Sequence, residues 1–167
     1  MTKLHHKEQD LQIRCVRWFR VTYPEFARLL EHPKNEVSSG NRTEGAIAKA
    51  EGVQAGVNDL IFHAPSLCYE WHGVIQEEPF MVYSLGIELK EKNGRQSPEQ
   101  KNFQRYFEAA GNQYEICRSL ESFQDIMTKY VNNIPARIKE ALIELHNKIR
   151  EEQTAAARQE LKRIINK

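Results

Sequence analysis

The chain has 167 residues, 40% of them hydrophobic, which is enough apolar surface for one real core. Its 24 Lys and Arg against 23 Asp and Glu leave a net charge of +1, excluding the strongly basic field of a protein that passively coats nucleic acid. No stretch approaches the roughly 20 apolar residues of a membrane-spanning helix, and Cys15, Cys68 and Cys117 form no CxxC pair or disulfide framework, so a cytoplasmic protein with reduced, buried thiols and no membrane partner is expected.

His5 and His6 read as a solvated pair on a mobile end, and none of the six histidines has zinc-ligand spacing. From Glu8 to Tyr23 the apolar residues Leu11, Cys15, Val16 and Phe19 recur at helical steps, and Pro24 ends that first helix. The polar stretch from Glu31 to Thr43, with Ser38-Ser39-Gly40-Asn41 at its middle, predicts an exposed mobile loop. A short helix over Thr43 to Ala50 should stop near Gly52.

Val57 to Ala64 and Phe80 to Lys90 have the β-branched and aromatic content of strands, and Leu67 to Gly73 can form another. Ser97-Pro98-Glu99-Gln100 has the form of a capped helix start, running to about Ala110 before Gly111. Gln113 to Arg118 reads as a strand, Ser119 starts another helix, and Ile138, Leu142, Leu145 and Ile149 continue a helical stripe. The order predicts an α/β fold without internal repeats.

Glu88 and Lys90 are two apart on one strand and share a face, whereas Ile87 and Leu89 point to the other. Opposite charges at the end of an apolar strand are costly to bury unless paired or bound to a metal, and such groups gather at functional sites. Asp59, at the head of Leu60-Ile61-Phe62, can meet them where the two strands splay apart. Hydrolysing a phosphodiester at neutral pH needs an activated water and a cation against the developing charge. In this scheme Asp59, Glu88 and the main-chain oxygen of Leu89 hold Mg²⁺, and Lys90 steers the attacking water and opposes transition-state charge. The competing account of the trio is a structural ion pair on a strand edge.

Helical periodicity adds Glu8 and Gln100 as inward-pointing groups around the metal site. For Gln100 a capping box is an equally good explanation, and for Glu8 a solvated surface charge competes. Lys90, Lys92, Arg95, Lys101 and Arg105 cluster within 16 residues, opposed there only by Glu91 and Glu99, and with Lys34 and Arg42 they form the expected local grip on DNA.

Gly56-Val57-Asn58-Asp59-Leu60, Gly86-Ile87-Glu88-Leu89-Lys90, Gly94-Arg95 and Ser97-Pro98-Glu99-Gln100 resemble the VRR-NUC domain, a branch of the PD-(D/E)xK nuclease superfamily. The resemblance runs from Glu8-Gln9 to about Phe123 and includes Cys117-Arg118-Ser119-Leu120. It implies a restriction-endonuclease-like core: a mixed central sheet flanked by helices, with an extra C-terminal helix. It also implies Mg²⁺- or Mn²⁺-dependent cleavage of DNA, with Asp59 and Glu88 as metal ligands, Lys90 as the family's lysine, and Glu8 and Gln100 as accessory groups. Stand-alone members are often phage- or prophage-encoded and resemble Holliday-junction resolvases, so a homodimer acting on four-way junctions is expected. Two features depart from the pattern. Asn58 stands where proline is usual, and the long stretch from Ala64 to Phe80 can form an additional hairpin.

The expected organisation is a nuclease domain over residues 1–133 and a helical extension over 134–167. Two alternatives stay open at this level: a sequence-specific or flap/nicking nuclease, and a catalytically inactive junction-binding module. The second would typically lose one of Asp59, Glu88 and Lys90, and all three are present.

Overall fold

The computed structural model describes residues 2–33, 46–48 and 50–165. Lys34, Arg42 and most of the expected loop from Glu31 to Thr43 therefore lie outside the described residues. Of the expected helix over Thr43 to Ala50, the described residues 46–48 and 50 are helical.

The first helix, α1 (Thr2–Thr22), starts well before Glu8. Residues 2–7 contain no glycine or proline, and polarity alone does not prevent a helix from continuing, so His5 and His6 belong to α1 and not to a loose end. Cys15 and Phe19 are fully buried on its inner face. Pro24 ends it, as expected, by opening a 3₁₀ turn (Pro24–Leu29) that buries Phe26.

Among the described residues one sheet has the order β1 (Leu30–Glu31), β2 (Leu60–Phe62), β5 (Leu85–Leu89), β6 (Gln113–Cys117). The first two pairings are antiparallel and β5 pairs parallel with β6, which makes the sheet mixed. Strand β5 is buried along its whole length. Leu85, Ile87 and Leu89 join Cys15, Phe19, Phe123 and Met127 in the core. On the opposite face lie Gly86, Glu88 and Lys90.

The strand expected over Val57 to Ala64 is only three residues long, because 57–59 enter it irregularly from Gly56. The strand expected over Phe80 to Lys90 is two. Its first part belongs to β4 (Val74–Val82), which pairs with β3 (Ser66–Trp71) in a separate hairpin. Tyr83 and Ser84 mark the break, where their main chains bond to Gly111 and Gln113. Composition does not reveal the break, since an exposed hairpin strand and a central strand draw on the same residue types. The hairpin turns at His72 and Gly73, both with positive φ. It is the insertion that the long spacing between the two acids had suggested.

Helix α2 (Pro98–Ala109) has the full capping box of Ser97 and Gln100. Helix α3 (Leu120–Asn132) is capped by Ser119 and buries Phe123, Met127, Tyr130 and Val131. Helix α4 (Ala136–Ile165) packs Ile138 and Leu142 against the core, while Leu145 is exposed and every residue from Arg150 to Ile165 is exposed. Cys15, Cys68 and Cys117 are buried free thiols, as expected.

Candidate active site

The register Leu60↔Ile87 in the β2–β5 ladder, extended by one step, sets Asp59 across from Glu88. There the strands part. Asp59 turns its carboxylate onto the open main chain and Oδ2 accepts the N–H of Leu89 at 2.7 Å. His32 Nδ1 lies 2.6 Å from the main-chain oxygen of Asp59 and fixes the acid's backbone from the other side.

Glu88 is completely buried, with Lys90 Nζ 2.7 Å from Oε1. Gln100 Nε2 donates to the same oxygen, and the Tyr114 hydroxyl donates to Oε2 at 3.2 Å. The amide of Gln100 therefore has two uses at once, because its carbonyl oxygen accepts the Ser97 N–H at 2.8 Å to close the capping box. Glu8 reaches the site from α1, and its Oε1 accepts the N–H of Glu91 at 3.1 Å, directly after Lys90.

Two glycines make this convergence possible. A Cβ on Gly86 would lie 1.5 Å from Asn58 Nδ2 and 2.9 Å from the ring of Phe107, so the buried Asn58 packs into the space that this residue leaves open. The departure from proline at 58 thus has its complement in β5. Gly56 has φ +84°, and a Cβ there would come within 2.5 Å of the Glu99 backbone, so the Gly56–Asp59 entry rests on the start of α2 beside Gln100.

Burial and the nearby charge of Asp59 push the Glu88 carboxyl up to about 7, against the opposing effect of Lys90 and Tyr114. Asp59 is also pushed up, by burial first, with the Leu89 N–H and Lys90 working the other way and Glu8 adding to the rise. Two neighbouring carboxyls whose ionisation is penalised, both by burial and Glu88 also by Asp59, fit a small divalent cation. Among the described residues no three His, Cys, Asp or Glu side chains come together as a metal cage. A cation would draw on the two acids and a main-chain oxygen.

Next to the site is a cleft of about 390 Å³ between α1, the segment after β5 and the start of α3. Lys7, Arg14, Lys90, Lys92 and Arg118 line it, with Glu8, Glu91 and Glu121 among them. Arg118 donates to the main-chain oxygens of Glu91 and Gly94 at 2.8 and 2.9 Å, tying down the segment that carries Lys92. Arg95, Lys101 and Arg105 are exposed and lie outside this cleft.

The structure thus brings together Asp59, Glu88, Lys90, Leu89, Glu8 and Gln100. Sequence reasoning did not single out Tyr114, His32, Lys7 or Arg14, whose roles depend on pairings between distant segments. Arg118 had a signal in the Cys117-Arg118-Ser119-Leu120 run.

No family model matches the sequence, and no curated protein matches it. A solved structure described as a VRR_NUC domain protein superposes with a TM-score of 0.58 at 18% identity, over 75% of this chain and 88% of that one. The chain has the VRR-NUC fold, a restriction-endonuclease-like α/β core.

Proposed function

We propose that this protein is an Mg²⁺- or Mn²⁺-dependent endonuclease of the cytoplasm that hydrolyses DNA phosphodiester bonds, preferring branched DNA such as four-way (Holliday) junctions and working as a homodimer. Residues 1–133 are the nuclease unit and 134–167 its helical extension. The observation that carries this reading is the meeting of Asp59, Glu88 and Lys90 where β2 and β5 part, with both acids raised by burial and Glu88 raised further by the charge of Asp59, a cost that a divalent cation would relieve. The likeness to a VRR_NUC domain protein supports it.

Asp59, Glu88 and the main-chain oxygen of Leu89 would hold the cation. When bound, it supplies positive charge against the non-bridging and leaving oxygens of a phosphodiester and acidifies a water. Lys90, held by Glu88, orients that water and opposes the charge of the transition state. Gln100 fixes one oxygen of Glu88, and Glu8 fixes the main chain just beyond Lys90. The cleft residues Lys7, Arg14, Lys92 and Arg118, with Arg95, Lys101 and Arg105 outside it, would contact phosphates. Lys34 and Arg42 are proposed to extend this contact. Contacts of this kind read the path of the backbone and not base edges, which favours branched DNA over a defined sequence.

The test is to incubate the protein with linear duplex, flap and four-way-junction DNA in Mg²⁺, Mn²⁺ or chelator. Metal-dependent cutting, fastest on the junction, is expected. An absence of cutting in either metal overturns the nuclease reading, and cutting of flaps alone replaces the junction preference with a flap or nicking role.

No helix among the described residues is long and apolar enough to cross a membrane.

A further inference from the structure

A chain of hydrogen bonds leads away from Glu88. The Tyr114 hydroxyl that donates to Glu88 Oε2 also accepts Gln96 Nε2 at 3.3 Å. Gln96 Nε2 donates to Gln104 Oε1 at 3.0 Å, and Gln104 Nε2 donates to Glu108 Oε1 at 2.8 Å. The other oxygen of Glu108 lies 3.6 Å from His72 Nε2 at the tip of the β3–β4 hairpin.

The direction of this chain is set from its far end. A carboxylate only accepts, whereas a carboxamide has one donating and one accepting end. Glu108 therefore turns the NH₂ of Gln104 toward itself and the carbonyl of Gln104 toward Gln96. Gln96 must then present its NH₂ to both Gln104 and Tyr114. With its oxygen accepting from Gln96, the hydroxyl of Tyr114 has its single proton left for Glu88. Glu88 has about four acceptor sites. Lys90, Gln100 and Tyr114 occupy three, leaving one for a cation.

We propose that Tyr114, oriented through Gln96 and Gln104 by Glu108, is a positioning residue that locks the carboxylate plane of Glu88 and keeps its remaining acceptor site turned to the metal. This rests on the reading of Glu88 as a metal ligand. The parallel register Gly86↔Tyr114 makes the contact possible, because it sets Tyr114 on the same face as Glu88 and two residues short of it, so the phenol reaches Glu88 by leaning along the strand.

The test uses the full chain with Tyr114→Phe and, separately, Glu108→Gln. Each is titrated calorimetrically with Mn²⁺ alone, assayed on the DNA that wild type cuts best, and melted thermally. Tyr114→Phe should weaken Mn²⁺ affinity and lower kcat by about tenfold each, leaving KM for DNA unchanged. Glu108→Gln removes the obligate acceptor, so the chain can reverse, and it should give a smaller loss of the same kind from a distance. A purely structural role would lower the melting temperature and leave Mn²⁺ affinity and the kcat of folded protein unchanged. Tyr114→Phe equal to wild type overturns the contact, and Glu108→Gln equal to wild type overturns the imposed direction. Wild-type protein that binds no Mn²⁺ and cuts no DNA overturns the nuclease reading and this inference with it.

Discussion

Glu88 is the residue on which the proposed chemistry turns, and its complete burial changes how it should be probed. Truncation to Ala would leave the buried Lys90 ammonium without its ion-pair partner, a loss of about 3–5 kcal/mol in stability. Glu88→Gln and Asp59→Asn keep the shapes and one accepting oxygen each, so we expect both to fold, retain DNA binding and lose cleavage and Mn²⁺ affinity. Cleavage near the wild-type rate by either would end the metal assignment. Lys90→Ala should lose rate strongly and keep Mn²⁺ binding, and Lys90→Arg should not restore the rate fully, because a flat guanidinium presents its donors differently. The raised Glu88 carboxyl also dictates a pH dependence. Its folded value of about 7 lies above the unfolded one, so between them the folded state holds a proton that the unfolded chain has lost. Without metal, stability should therefore be greatest near and below the unfolded value and fall as pH rises, by at most about 1.4 kcal/mol per unit from this group. Asp59 acts in the same direction. Mn²⁺ affinity should rise over the same interval, since the cation competes with the proton. Denaturant melts between about pH 5 and about pH 7 check this, and Glu88→Gln must flatten the slope.

At the scale of elements, the site depends on how closely β5 approaches its neighbours. Gly86→Ala would drive a methyl into Asn58 and Phe107, and β5 cannot yield because it is paired on both edges. We expect a loss of about 2–4 kcal/mol, read as a lower melting temperature, and partial recovery in the double variant with Asn58→Ala. An unchanged melting temperature would contradict the packing described. The same neighbourhood explains which parts of the structure were legible in the sequence. Glu88 and Lys90 declared themselves because a period of two is local, and Ser97 with Gln100 declared a helix start for the same reason. The division between β4 and β5 did not, because it is decided by which strand each pairs with. Tyr114 remained hidden because its contact with Glu88 requires a parallel register between segments separated by a whole helix. The role of Asn58 as the complement of Gly86 depends equally on the fold.

At the scale of the molecule, one set of Asp59, Glu88 and Lys90 would, in the proposed reaction, sever one strand at a time, whereas a four-way junction has approximate two-fold symmetry and is resolved by paired cuts. A two-fold dimer supplies both sites. The α4 stripe is partly spent already, since Ile138 and Leu142 pack against the protein's own core. The β3–β4 hairpin is not: Tyr69, Val74, Ile75, Phe80 and Met81 are exposed, Ile75 at 81%, and β4 has no second partner strand among the described residues. The apolar residues of β4 lie at its two ends, either side of Gln76-Glu77-Glu78-Pro79, and exposed apolar side chains on an open strand edge form a surface that proteins normally cover. The far end of α4 also exposes Leu161, Ile164 and Ile165, but among long charged side chains. We therefore expect light scattering behind a sizing column to give twice the 19.5 kDa chain mass. Ile75→Asp should give a monomer that still binds Mn²⁺ and only nicks junctions, and Ile164→Asp should leave the dimer intact. Dissociation by Ile164→Asp alone would move the interface to α4. A wild-type mass of 19.5 kDa, both free and on junction DNA, would remove the dimer and favour an enzyme that nicks or cuts flaps.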